Sequence, residues 1–447
     1  MFSRRRFIKI GAASVGSLAL RPLGLLPAMA QSNSPEYRAL VCVFLFGGND
    51  SNNMVIPTDA QNFGAYTQIR SNLALTSAQL TGNVTAKSTG APYAFHGMMP
   101  EIASLFSNGE LGVVANVGSL VQPVTRDQYV GRSAPLPINL FSHSDQQLEW
   151  QTSAPSENSA TGWGGRVADL IASQNSSNFP PFFSVAGNTI MGAGAQTQPV
   201  ALSPGKSLSL QGFNSSSGSQ VRYQLLQQLL STETGLALAQ AASGKVASSL
   251  QDATALGAAL AKASPLATKF PNTSLGAQLQ QVAQIIQVRA DLGMNRQIFF
   301  ASLGGFDTHT DELNTHNNLY PQVSQALAAF NGAMQELGVQ NDVTTFTESD
   351  FSRTFQPTSG NGSDHAWGSH HLVIGGAVAG GDIYGQFPAF TLAGPNDSDT
   401  RGRWIPTTSI DQYGATLSSW FGLSDAQLAS VFPNLANFGS AKLGFLG

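Results

Sequence analysis

The chain has a single cysteine, Cys42. That excludes an intramolecular disulfide and a zinc site built from cysteines. Cys42 lies inside an apolar run, so it reads as a buried core residue and not as a catalytic thiol. Charge is scarce as well. Asp, Glu, Lys and Arg make up 11% of the 447 residues, and Ser, Asn, Gln, Thr and Gly take their place. Such a surface is polar more than charged. The uncharged stretch near the start, Ile10–Leu20, has only 11 residues, well short of the roughly 20 that a membrane-spanning helix needs. Basic residues are few beyond it. Residues 1–30 hold five of the 22 Lys and Arg and no acid, which leaves 17 basic against 26 acidic residues, a formal charge of −9. That balance argues against nucleic acid and against an anionic membrane surface as partners.

What is present at the start has an order. Arg4, Arg5, Arg6 and Lys9 form a basic segment, Ile10–Leu20 follows, and Ala28-Met29-Ala30 supplies a small-x-small cleavage pattern. That order is the layout of an export signal with cleavage after Ala30, leaving no stable membrane anchor. Ser3-Arg4-Arg5-Arg6-Phe7-Ile8-Lys9 resembles a twin-arginine motif. The expected destination is the periplasm or the medium, with the twin-arginine export machinery as the precursor's partner.

Five apolar runs read as strands buried on both faces: 39–46, 111–117, 297–303, 343–346 and 371–374. Between them, Leu275, Leu279, Val282 and Ile286 recur at helical spacing, as do Val323, Leu327, Phe330, Met334 and Leu337. The second pattern predicts a helix over 321–337 with Pro321 in its first turn. Strands alternating with helices predict an α/β fold with a mainly parallel central sheet flanked by helices. Residues 152–290, rich first in Ser, Asn and Gly and then in Ala, Gln and Leu, read as an insertion or cap within a 31–447 domain.

In such sheets, sites form beyond the carboxyl ends of the strands. Three strands run into polar clusters: Gly47-Gly48-Asn49-Asp50, Gly305-Phe306-Asp307-Thr308-His309, and Thr347-Glu348-Ser349-Asp350 followed by Arg353. A later loop is expected to hold Asp364, His365, His370 and His371. Five of the seven histidines fall between 309 and 371. Carboxylate with imidazole is the donor set of a divalent metal. Asp307 and His309, two apart, can face the same way on extended chain. Ser142 and His143 stand where a helix over 146–151 begins, so the helix N–H groups and dipole would favour a phosphate or sulfate at Ser142; a serine there is also an ordinary helix cap.

The ordered segments GGNDSNNMVIP (47–57), FSHSDQ (141–146), GGFDTHTD (304–311), ESDFSRT (348–354), DHAWGSHHLVIGG (364–376) and GRWIPTTSIDQY (402–413) resemble one family across nearly the whole chain beyond the signal. It is the twin-arginine-exported bacterial family called domain of unknown function 1501, itself similar to the alkaline phosphatase and sulfatase superfamily. The resemblance implies an alkaline-phosphatase-like sheet flanked by helices. It implies Ser142 as nucleophile beside His143. It implies Asp50, Asp307, His309, Asp350, Asp364, His365 and His370 as the residues from which metal ligands are drawn. The sequence departs from the family pattern where Asp350 replaces Glu, Ser352 replaces Gly and Ala366 replaces Gly. Phe351 stands where the superfamily has a histidine.

The resulting expectation is an exported hydrolase of small anionic phosphate or sulfate esters. A divalent ion (Zn, Mn, Ca or Mg) would activate Ser142, and Arg353 would fork onto the transition-state oxygens. Two other readings are an exported binding or assembly protein with a degenerate site, and a phosphomutase-like transferase.

Overall fold

Alternation along the first strand organises the two layers of the fold. In the strand Arg38–Phe46 of this computed structural model, Ala39, Val41, Val43 and Leu45 point into one core and Leu40, Cys42 and Phe44 into the other. The structure describes residues 36–205, 216–232 and 235–446. The expected export signal lies outside them. No described helix is long and apolar enough to cross a membrane.

The main sheet has nine strands. From one edge they are Ile383–Gly385, Leu111–Gly118, Ser369–Ile374, Val343–Ser349, Arg38–Phe46, Arg296–Gly304, Phe182–Ser184 and Val200–Ala201, with Thr408–Ser409 also pairing to Leu111–Gly118. Ser369–Ile374 alone runs antiparallel to its neighbours, and every other pairing is parallel. The first core packs the helices Pro100–Ser107, Ser274–Gln287 and Glu312–Glu336 against the sheet. The second packs Trp150, Trp163, Val167, Tyr413 and Leu417, from three other helices. Burying each such side chain contributes about 1.5–3 kcal/mol. The chain is a mixed α/β fold with a mostly parallel central sheet flanked by helices.

Register positions the site. Phe46 lies opposite Gly304, and Leu45 opposite Ser349. Three parallel strands thus end level, and the loops beginning at Gly47, Gly305 and Asp350 leave from one rim.

Several elements differ from the sequence reading. The strand expected to end at Phe346 continues to Ser349, which leaves Glu348 wholly inside the protein. The strand expected from His371 begins at Ser369, so His370 lies in it and not in a loop, and both histidines are buried. The helix expected from Pro321 starts at Glu312 and carries Pro321 in its interior. An inner proline removes a helix hydrogen bond, which is why the sequence suggested a start there; the apolar face of Val323, Leu327 and Phe330 holds the longer helix to the core. Of residues 152–290, Phe182–Ser184 and Val200–Ala201 extend the main sheet and Trp163 lies in the second core. Among the described residues of that stretch, the helices Ser217–Leu230 and Ala237–Leu260 keep a largely exposed surface.

Candidate metal centre

Two glycines let the first loop enter the rim. Gly47, at φ +114°, lies so close to the Asp307 main chain that a Cβ would fall 2.4 Å from its nitrogen. Gly48, at φ +80°, lies under Phe351, whose ring would be 2.4 Å from an added Cβ. Both positions need positive φ and a close approach, which only glycine meets without strain. The Phe351 ring, fully buried, in turn packs against His143 and His365, each centroid 4.8 Å away.

On this floor four side chains converge. His143 heads the helix His143–Thr152. Its Nε2 lies 3.1 Å from His365 Nε2 and 3.4 Å from Asp307 Oδ1. His365 Nε2 is also 2.9 Å from His309 Nε2 and 3.4 Å from Asp307 Oδ1. His309 Nε2 reaches the same oxygen at 3.0 Å. One donor group is therefore His143, Asp307 and His365, and a second is His309, Asp364 and His365. All of these residues keep some exposure, so a ligand can reach them.

The far sides of the rings are fixed. His143 Nδ1 donates to Asp350 Oδ2 at 2.7 Å, and His365 Nδ1 donates to the Phe141 carbonyl at 2.7 Å. A neutral imidazole carries one N–H. Both Nε2 atoms are then bare, and they face each other at contact distance. Two lone pairs so placed repel unless a cation lies between them: a proton or a metal ion. Carboxylate and carbonyl behind metal-binding imidazoles are the usual means of holding the ligating tautomer.

The electrostatics agree. The Asp350 hydrogen bond is the chief reason the His143 pKa is raised, against the pull of burial. Burial lowers that of His365, only partly offset by the Phe141 carbonyl. For Asp307, burial pushes upward, but the Arg353 hydrogen bond and the nearby cations prevail and hold the carboxyl below its ordinary range. For Asp364, burial is likewise outweighed, by the His365 N–H and by Arg403 and Arg401.

The residues expected from the sequence divide. His143, Asp307, His309, Asp364 and His365 come together. Asp350 stands behind His143, fully buried, accepting from His143, Gln147 and the Gly47 N–H. Ser142 caps the helix by position, and its Oγ donates to Asp145 Oδ2 at 2.6 Å. The expectation that Asp50 and His370 share this pocket is corrected. Asp50 lies in a separate buried group with Arg70, Glu312 and His316. His370 accepts the Asn116 N–H on Nδ1 and packs on Phe387, because its strand carries it into the interior. The expected role of Arg353 is corrected too. It is fully buried, and it donates to Ser363, the Gly47 carbonyl and, at 3.0 Å, Asp307, so its fork does not face a substrate.

Other contributors were not singled out from the sequence. Gln147 was findable, since it lies one turn after His143 on the same helix face. The Phe141 carbonyl, Phe351 as floor, and the Arg401–Asp364–Arg403 pairs had no local signal.

A family model described as "Protein of unknown function (DUF1501)" matches residues 37–398. No curated protein matches the chain. Solved structures similar to it have alkaline-phosphatase- or sulfatase-like folds. They include the lipoteichoic acid synthase LtaP from Listeria monocytogenes, 7% identical, covering 87% of this chain and 73% of that one, with a TM-score of 0.35. The C-terminal periplasmic domain of EcEptC from Escherichia coli is 10% identical, covering 88% and 84%, with a TM-score of 0.35. The PsFucS1 sulfatase from Pseudoalteromonas sp. is 10% identical, covering 86% and 68%, with a TM-score of 0.31.

Proposed function

This chain belongs to the DUF1501 family, and from that premise we propose that it is an exported, metal-dependent hydrolase of phosphate or sulfate esters. The observation that carries the metal reading is the approach of His143 Nε2 and His365 Nε2 to 3.1 Å beside Asp307, with the Nδ1 atom of each ring already donating elsewhere. The donors fit a divalent ion: His143 Nε2, His365 Nε2 and Asp307 Oδ1 would hold it, with His309 and Asp364 adjoining. Mixed imidazole and carboxylate favour Zn or Mn over Ca or Mg.

Charge points to the ligand's sign. Asp307 is already paired with Arg353, and Asp364 with Arg401 and Arg403. An ion's charge would not be cancelled by its own ligands, so an anionic ester is the fitting substrate. The ion, when bound, would supply Lewis-acid polarisation of the ester and a lowered pKa for an oxygen nucleophile. Ser142 supplies that oxygen on this reading. Its Oγ forms the new bond to phosphorus or sulfur as the ester oxygen leaves, its proton passing by way of Asp145, which it already faces, to the departing oxygen; water then displaces the serine oxygen, releasing phosphate or sulfate and restoring the hydroxyl. Asp350 and the Phe141 carbonyl keep the two imidazoles aimed.

The test is purified protein assayed for bound metal and for turnover of aryl phosphate and aryl sulfate. Ser142→Ala is expected to abolish turnover and leave metal content unchanged; full activity in that variant removes Ser142 from the reaction. A second reading, a binding protein with the fold but no turnover, is favoured by the full burial of the Arg353 guanidinium, which spends its hydrogen bonds on Ser363, the Gly47 carbonyl and Asp307. Bound metal with no hydrolysis of either ester class supports it.

A further inference from the structure

Resting on that metal reading, we propose that the centre takes one divalent ion per chain, and that Arg70 is a built-in cation at the place where Asp50 would otherwise ligate a second. The family resemblance leads to the expectation of a metal carboxylate at Asp50, and the residues around Asp50 do not fit an ion.

Both Asp50 oxygens are already engaged. Its Oδ1 accepts the Asn52 main-chain N–H at 3.2 Å and Asn52 Nδ2 at 3.0 Å. Its Oδ2 is paired with Arg70 Nη2. The same Nη2 donates to Glu312 Oε1 at 3.0 Å, and Arg70 Nη1 donates to the Thr354 and Phe355 carbonyls at 3.2 and 3.4 Å. Asp50, Arg70 and Glu312 are each at 0% exposure. A guanidinium does not lose its proton in a protein, so an ion entering here would have to share the pocket with a fixed positive charge or expel it. Expulsion breaks a buried ion pair, which is strongly destabilising.

His316 is the feature that speaks for an ion. It is fully buried beside these carboxylates, and neither ring nitrogen has a hydrogen-bond partner. Yet the two carboxylates it would need are those that Arg70 bridges.

The arrangement also reaches the open cluster. Glu312 Oε2 accepts from Thr308 Oγ1 at 3.0 Å and from Ser363 Oγ. The Ser363 carbonyl accepts Arg353 Nη2 at 2.6 Å, and Arg353 Nη1 holds Asp307 at 3.0 Å. Arg70 therefore fixes Glu312, Glu312 fixes Ser363, and through Arg353 the chain of contacts ends on the carboxylate of the open centre.

The test counts and characterises metal on the intact protein. Protein expressed with ample Zn or Mn and freed of loose ions by gel filtration is expected to retain one ion per chain by mass spectrometry. Its Mn form should show the electron paramagnetic resonance signal of an isolated ion. Two ions per chain with a spin-coupled signal overturns the proposal while sparing the metal reading; no bound ion overturns both. In Asp50→Asn, affinity for the single ion should stay within about twofold, whereas a loss of about tenfold or more, the scale expected when a metal site is disturbed, in a variant with unchanged circular dichroism makes Asp50 a ligand and sinks the idea. Should that variant not fold, the wild-type count and signal decide alone.

Discussion

Replacing Asp350 with Asn tests how the two imidazoles are held. The carboxylate accepts three hydrogen bonds: from His143 Nδ1 at 2.7 Å, Gln147 Nε2 at 2.8 Å and the Gly47 N–H at 3.2 Å. All three neighbours donate. An amide of the same shape has one accepting oxygen, so its NH2 must face donors on one side or the other. A hydrogen bond to a charged group is worth about 1.5–3 kcal/mol, and a neutral one about 1 kcal/mol. The variant thus loses about 0.5–2 kcal/mol of the energy that aims His143, which is about two- to thirtyfold in metal affinity at 1.4 kcal/mol per tenfold. That range overlaps the low end of the 10–100-fold cost typical of removing such a partner. The assay is competition against a chromophoric chelator at several pH values above the ordinary histidine range, because the Asp350 hydrogen bond raises the His143 pKa and protons compete with the ion for this ring. Thermal unfolding of the metal-free forms serves as control. Affinity equal to wild type in a variant that still binds metal would refute the claim that Asp350 orients a ligand.

Three further outcomes are expected. Gly48→Ala forces a Cβ into the Phe351 ring at a positive φ; it should cost about 1–3 kcal/mol in urea unfolding and weaken metal binding, and unchanged values in both would show the floor to be soft. Burial pushes the Glu149 carboxyl from its ordinary 4.5 up to about 8. Between those values the folded form keeps a proton the unfolded form has lost, so stability falls as pH rises through that window. Glu149→Gln should remove the slope: little difference from wild type below about pH 4.5, and a few kcal/mol of added stability near pH 8, at about 1.4 kcal/mol per unit. A pH-independent difference in denaturant titrations would count against a buried neutral acid. Chelator treatment of wild type should lower the melting temperature, because an ion binds only the folded form; an unchanged midpoint after verified metal removal tells against the centre.

The mainly parallel sheet was readable because buried parallel strands announce themselves as unbroken apolar runs such as Leu40–Phe46. The gathering of Asp307, His309, His365 and His143 was readable in part, since polar residues after such runs fall on one rim. What eluded the sequence was direction and partnership. Asp50 follows a strand as Asp307 does, yet a single arginine at the end of a helix, 20 residues on, claims it. His370 and His365 are similar in sequence, but one sits in a strand and the other before it, and pleating sends His370 inward. The Pro321 error arose because tertiary packing overrode a local stop signal. Neither Arg353's hold on the Gly47 carbonyl nor Arg70's pairing with Glu312 has a local signature, for both are contacts across more than two hundred positions.

Phe141 sits at φ +71°, a conformation a bulky side chain seldom takes, with its ring under the Arg403 guanidinium, 4.7 Å from ring centroid to Cζ. Its carbonyl is what fixes His365. Evolution can delete a carboxylate by one codon change, but every amino acid brings a carbonyl, so this half of the centre is immune to ordinary substitution. What it is exposed to is relaxation of the turn. Losing the arginine that lies on the ring, rather than losing Phe141's chemistry, is the route by which this imidazole would be set free.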